Sequence, residues 1–177
     1  PTVYDFQHIG NLRTYIFSDI LKRVLFFNSY KVKHVMNITD VGHLTSDADA
    51  GEDKMMKALK RENLPATKVS MLKLAKKYTK QFKKDIKELN IIEPDMWAVA
   101  TDHVPQMISL VKKIQKNGYA YETESAVYFN IKRDRSYGKL AQLKLKDLEA
   151  GARVAIDKEK RNPHDFVLWF KAIGKHR

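Results

Sequence analysis

The sequence contains no cysteine, which excludes disulfides and any thiolate metal site within the chain. It has no apolar run approaching the ~20 residues that a membrane-spanning helix requires. It also lacks internal repeats and low-complexity linkers. Acidic residues are in deficit: 21 Asp and Glu stand against 33 Lys and Arg, a formal net charge of +12. Such an excess suits a polyanionic partner, nucleic acid above all. It suits equally a solvated lysine-rich surface, because Lys73, Lys76, Lys77, Lys80, Lys83, Lys84 and Lys87 fall on one helical stretch. The first residue is Pro1 rather than Met, so a start upstream is expected and the question of a leader peptide stays open. A length of 177 residues with 44% hydrophobic content fits one globular domain, or one domain carrying an insertion.

Residues 1–11 show no helical period. From Leu12 the pattern changes: Leu12, Tyr15, Ile16, Ile20, Val24, Leu25 and Phe27 recur at spacings of three and four, which predicts an amphipathic helix ending at Asn28-Ser29. Lys31–Ile38 reads as a strand with a largely apolar second half. The acidic stretch 46–53 fails as a calcium loop, because counting from Asp47 puts Glu52 where glycine is needed and Ala58 where glutamate is needed. It reads as a surface loop before a short helix at Asp53–Arg61. Thr67 precedes a long helix reaching about Leu89, with Val69, Leu72, Ala75, Tyr78, Phe82, Ile86 and Leu89 as its expected buried stripe. Thr101 or Asp102 caps a further helix ending before Gly118. Tyr119–Tyr121 and Ala126–Ile131 then flank a turn in a hairpin pattern, and Arg153–Ile156 and Phe166–Phe170 are further strand candidates. The expected fold class is therefore α/β. Residues 1–98 form the first part of the main domain, with its first strand upstream of Pro1; 99–162 form a smaller α+β insert; and 163–177 return toward the main domain.

One segment carries chemistry: Pro1-Thr2-Val3-Tyr4-Asp5-Phe6-Gln7-His8-Ile9-Gly10-Asn11, then Arg13-Thr14. A helix start leaves backbone N–H groups unpaired, and its dipole favours negative charge. Gly10 permits close approach to the backbone, and His8 and Asn11 can donate hydrogen bonds to phosphate oxygens. A nucleoside triphosphate is the natural ligand. Taken as an isolated triplet, His-Ile-Gly is weak, since His8 could simply cap the helix.

The longer string closely resembles the ATP-binding signature of cysteinyl-tRNA synthetases, in which a first strand ending in Cys-Gly is followed by Pro-Thr-Val-Tyr-Asp and the HIGH motif. Further segments match that family in order: Asn37-Ile38-Thr39-Asp40; Asp53-Lys54-Met55-Met56-Lys57, similar to Asp-Lys-Ile-Ile-Lys; Leu89-Asn90-Ile91 with Pro94-Asp95; Gly151-Ala152-Arg153-Val154; Lys160-Arg161-Asn162-Pro163; and Asp165-Phe166-Val167-Leu168-Trp169. The resemblance implies a Rossmann-type catalytic domain interrupted by a connective insert. It implies activation of L-cysteine by ATP with Mg2+, then transfer of the cysteinyl group to tRNA(Cys), by a cytoplasmic monomer, with an organellar location left open. Within that pattern His8 and Asn11 are the catalytic positions, and Thr2, Tyr4, Asp5, His8, Gly10 and Asn11 bind ATP. Thr39 lines the cysteine pocket and Asp40 orients neighbouring backbone. Lys54 and Lys57 belong to a family motif without an assigned role.

The sequence departs from the pattern at Asn11, which stands where the motif has its second His; asparagine still donates a hydrogen bond but carries no charge. The family's zinc ligands are expected outside these 177 residues. His34, His43, His103, His164 and His176 are scattered without ligand spacing. Zinc would separate cysteine from serine by thiolate coordination, where shape alone separates them poorly. The chain alone is therefore expected to be inactive. Two other readings stay open: a cysteine ligase acting on an amino sugar, whose members typically carry Thr-Pro-Tyr-Asp and His-Leu-Gly-His, and a non-catalytic RNA-binding paralogue.

Overall fold

A computed structural model describes residues 1–41, 54–142 and 158–171. The acidic loop 46–53, the strand expected at Arg153–Ile156, the Gly151-Ala152-Arg153-Val154 segment, His43 and His176 lie outside the described residues. The chain is mixed α/β and forms two compact units, the first running through His103 and the second beginning at Val104.

The first unit contains α1 (Ile9–Phe27), β1 (Val35–Ile38), α2 (Lys54–Arg61), α3 (Lys68–Glu88) and β2 (Met96–Val99). Strands β1 and β2 pair in parallel, Val35 with Met96 through Ile38 with Val99. Parallel neighbours require a helical crossover, here supplied by α2 and α3. Upstream, Thr2 forms a parallel bridge with Thr39, and the Thr39 N–H donates to the Pro1 carbonyl at 2.8 Å. The first residues thus run alongside the end of β1, joined to it through α1, an arrangement consistent with a Rossmann-like βαβ unit. Strand β1 is shorter than the Lys31–Ile38 expected, and β2 was not anticipated in the sequence.

Helix α3 is capped as expected: the Thr67 hydroxyl accepts from the Ser70 N–H at 3.2 Å. Leu74, Ala75, Tyr78, Phe82 and Ile86 are buried along it and pack with Val3, Met36, Ile38 and Leu59 in one core. Full burial of a Leu- or Phe-sized side chain stabilises by about 1.5–3 kcal/mol. Val69, Leu72 and Leu89, expected on that stripe, are exposed.

Helix α1 differs more sharply from expectation. Its buried residues are Asp19 and Lys22, while Ile20, Val24 and Phe27 are exposed. The reason is polar docking onto residues 90–95. Asp19 accepts from the Ile92 N–H at 2.8 Å and from Arg23 at 2.6 Å. Arg23 also donates to the Asn90 carbonyl. Lys22 donates to the Glu93 carbonyl at 3.1 Å and pairs with Asp95 at 3.3 Å.

The second unit contains α4 (Val104–Lys116), β3 (Ala120–Glu122), β4 (Ala126–Phe129) and β5 (Phe166–Phe170). The hairpin forms as expected, with antiparallel pairing of β3 and β4. Strand β5, within the stretch 163–177 expected to return toward the main domain, pairs antiparallel with β4. Buried Asp165 holds this sheet: it accepts from the Tyr121 hydroxyl at 2.8 Å and from the N–H groups of Ile131 and Asn162. Burial pushes the Tyr121 phenol up from its ordinary value.

Candidate functional site

A cleft of about 290 Å³ opens in the first unit, lined by Pro1, Thr2, Tyr4, Asp5, Phe6, Gln7, His8, Asn11, Tyr15, Asn37 and Thr39. It lies where the Pro1–Val3 segment and β1 end, beside the start of α1. Ligands gather at that edge in open α/β sheets.

His8 is the N-cap of α1, in extended backbone conformation. Its Nδ1 accepts the Gly10 N–H at 3.1 Å, and its backbone N–H donates to Asn11 Oδ1 at 3.3 Å. The capping role weighed for this residue is therefore real, and it coexists with a place on the cleft wall. With Nδ1 accepting, the neutral ring is assigned the tautomer protonated at Nε2, a hydrogen-bond donor. Gly10 does not line the cleft. A Cβ there would sit 3.0 Å from both Nδ1 and Cε1 of His8, so glycine makes room for the capping ring.

Thr39 stands across the cleft. Its hydroxyl accepts from the Asn37 amide at 2.7 Å, which leaves its own proton to donate elsewhere. Asp40 is turned away from the cleft wall: its carboxylate accepts from the Thr101 N–H at 3.0 Å and hydroxyl at 2.6 Å, tying the end of β1 to the turn after β2. Asp5 accepts from its neighbour Phe6 N–H and from Arg61. The Lys54 ammonium lies 5.7 Å from the Tyr4 ring centroid; Lys57 is exposed. Neither lysine lines the cleft.

The structure thus brings Thr2, Tyr4, Asp5, His8, Asn11 and Thr39 together, and leaves Gly10, Asp40, Lys54 and Lys57 off the wall. Tyr15, Asn37, Gln7 and Phe6 were missed. Asn37 was recoverable, since residues two apart in a strand share a face with Thr39. In the sequence Tyr15 reads only as part of an apolar stripe; burial pushes its phenol up. Among the described residues no three His, Asp or Glu side chains gather as a metal site. No helix among them is long and apolar enough to cross a membrane.

Residues 1–176 match the family model described as tRNA synthetases class I (C) catalytic domain. The chain belongs to that family. Within it, the chain is similar to the cysteine–tRNA ligase of Treponema denticola, with 54% identity over 170 residues covering 96% of the chain and 34% of the relative. It is similar to cysteine–tRNA ligase 1 of Burkholderia lata, at 50% over 96% of the chain and 35% of the relative. It also resembles the enzyme of Zymomonas mobilis, at 44% over 96% of the chain and 31% of the relative. The chain spans about a third of the length of these curated relatives.

Proposed function

We propose that the protein carrying this class I catalytic segment is a cysteine–tRNA ligase. It activates L-cysteine with ATP and Mg2+ and passes the cysteinyl group to the 3′-terminal adenosine of tRNA(Cys). It does so as a cytoplasmic monomer, and residues 99–162 form its connective insert. The observation that carries the reading is one cleft holding the capped start of α1 on one side and Thr39 on the other, in a chain 54% identical to a cysteine–tRNA ligase.

In the first step a carboxylate oxygen of cysteine attacks the α-phosphorus of ATP, and pyrophosphate leaves. Little covalent work falls to the protein, so positioning and charge stabilisation dominate. His8 presents its Nε2–H, and Asn11 its side-chain amide, to phosphate oxygens at the positive end of the α1 dipole. Thr2, Tyr4 and Asp5 form the adjoining wall. Gly10 acts through His8 by giving its ring room. Thr39, with its oxygen already satisfied by Asn37, donates its proton toward the amino acid. Zinc would supply thiolate recognition when bound, but the described residues offer no ligand set for it.

The experiment is cysteine-dependent exchange of pyrophosphate into ATP by the full-length protein, followed by charging of tRNA(Cys). Exchange with charging is expected. Exchange followed by transfer to an amino sugar, or RNA binding without exchange, would replace this reading with one of its two rivals.

A further inference from the structure

Asp5 carries the one carboxylate among the side chains that line the cleft. A carboxylate there repels a polyphosphate unless its charge is matched. The match comes from the last turn of α2. Arg61 Nη1 pairs with Asp5 Oδ2 at 2.5 Å, and its Nη2 donates to the Tyr4 carbonyl at 3.2 Å and to the Tyr78 hydroxyl at 2.9 Å. The same guanidinium therefore cancels the charge at Asp5, grips the backbone one residue earlier, and anchors both to α3. The anchor is itself braced: Tyr78 donates to Glu62 at 2.6 Å, Glu62 pairs with Lys77, and the Phe6 ring packs edge-on against Tyr78 at 5.2 Å. Hydrogen bonding to Asp5 holds the Arg61 guanidinium above its ordinary range.

We infer that Arg61 is a positioning residue for the nucleotide. It does not line the cleft; it neutralises Asp5 and fixes the Tyr4–Asp5 segment so that the wall accepts a polyphosphate. This rests on the ATP-binding reading of the same cleft.

The test measures binding of adenosine, AMP and ATP to the full-length protein by calorimetry, in wild type, Arg61→Met and Arg61→Lys, and in the Asp5→Asn background. ATP affinity should fall about tenfold in Arg61→Met, adenosine affinity should change little, and AMP should fall between. Arg61→Lys keeps the charge but loses the fork to Tyr4 and Tyr78, so its ATP affinity should fall between wild type and Arg61→Met. In the Asp5→Asn background the Arg61→Met loss should shrink to under about twofold, since no carboxylate remains to be matched. Equal losses for adenosine and ATP in Arg61→Met would mark a structural brace only and overturn the inference, as would unchanged ATP binding. Should Arg61→Met fail to fold by circular dichroism, a tenfold ATP-selective loss in folded Arg61→Lys would overturn charge matching, and a smaller loss there would uphold it. Failure of wild type to bind ATP at all is a different result and would sink the proposed function instead.

Discussion

His8 performs two jobs with two nitrogens, and substitution can separate them. Asparagine is a good N-cap, so His8→Asn should leave the thermal midpoint within a few degrees while removing the Nε2 donor. One preorganised donor is worth roughly 2.7–4 kcal/mol in the transition state, so exchange should fall about 100- to 1,000-fold. Exchange at the wild-type rate would take His8 out of the chemistry. Gly10→Ala makes the converse point. Helix propensity favours alanine by about 1 kcal/mol, yet its Cβ would press on the His8 ring. The expected outcome is a small change in stability by thermal melt with a clear drop in exchange. Thr39→Val should raise the Michaelis constant for cysteine more than that for ATP; equal rises would mean that the hydroxyl only supports the strand end. At this scale the sequence was informative where chemistry is local. The caps at His8 and Thr67 follow from residue type and position, whereas the backbone-orienting role of Asp40 was implied only by the family resemblance. Arg61 was not legible, because its partners Asp5 and Tyr78 lie 56 and 17 residues away and nothing local marks it.

Among the elements, α1 shows where periodicity misleads. Spacing of three and four located the helix correctly, and Tyr15 and Ile16 of the expected stripe do pack on the core. Ile20, Val24 and Phe27 of the same stripe stay exposed, so the repeat alone did not choose the face toward the helix end. That choice was made by Asp19, Lys22 and Arg23 docking on residues 90–95. Asp19→Ala should cost about 1–3 kcal/mol in chemical denaturation, since the Ile92 N–H and Arg23 lose their partner. The docking also predicts an acid response. The His34 N–H, and secondarily Lys22, hold the Asp95 carboxylate below the usual range. A depressed carboxylate contributes stability that is present above the unfolded value of about 4 and is lost as pH falls through the lower folded value. Thermal melts from pH 6 down to pH 2 should show a shallower acid decline in Asp95→Asn than in wild type. Identical slopes would exclude Asp95 as a contributor. Strand β2 was overlooked for a different reason: four residues after Pro94-Asp95 give too short a run for alternation to declare itself.

For the whole chain, charge is the property that acts at distance. With a net charge of +12, affinity for tRNA measured by filter binding should fall linearly on a logarithmic salt scale. An affinity independent of salt would argue that the lysines are only a solvated surface. The α/β class and the hairpin were legible from patterning, whereas the partner of β5 was not. Phe166–Phe170 is apolar enough to pair in either unit, and its register with β4 is decided by packing that no local pattern records.

The segment leading into α1 is fastened at both ends: Thr2 is bridged to Thr39, and His8 is locked into the helix start through Gly10 and Asn11. Residues 3–7 are therefore a ruler of fixed count between the sheet and the capping ring. A substitution along that ruler leaves its length unchanged, whereas an insertion drags the imidazole off its mark. Inserting one glycine after Gln7 should accordingly be more damaging to exchange than most single substitutions along the same stretch.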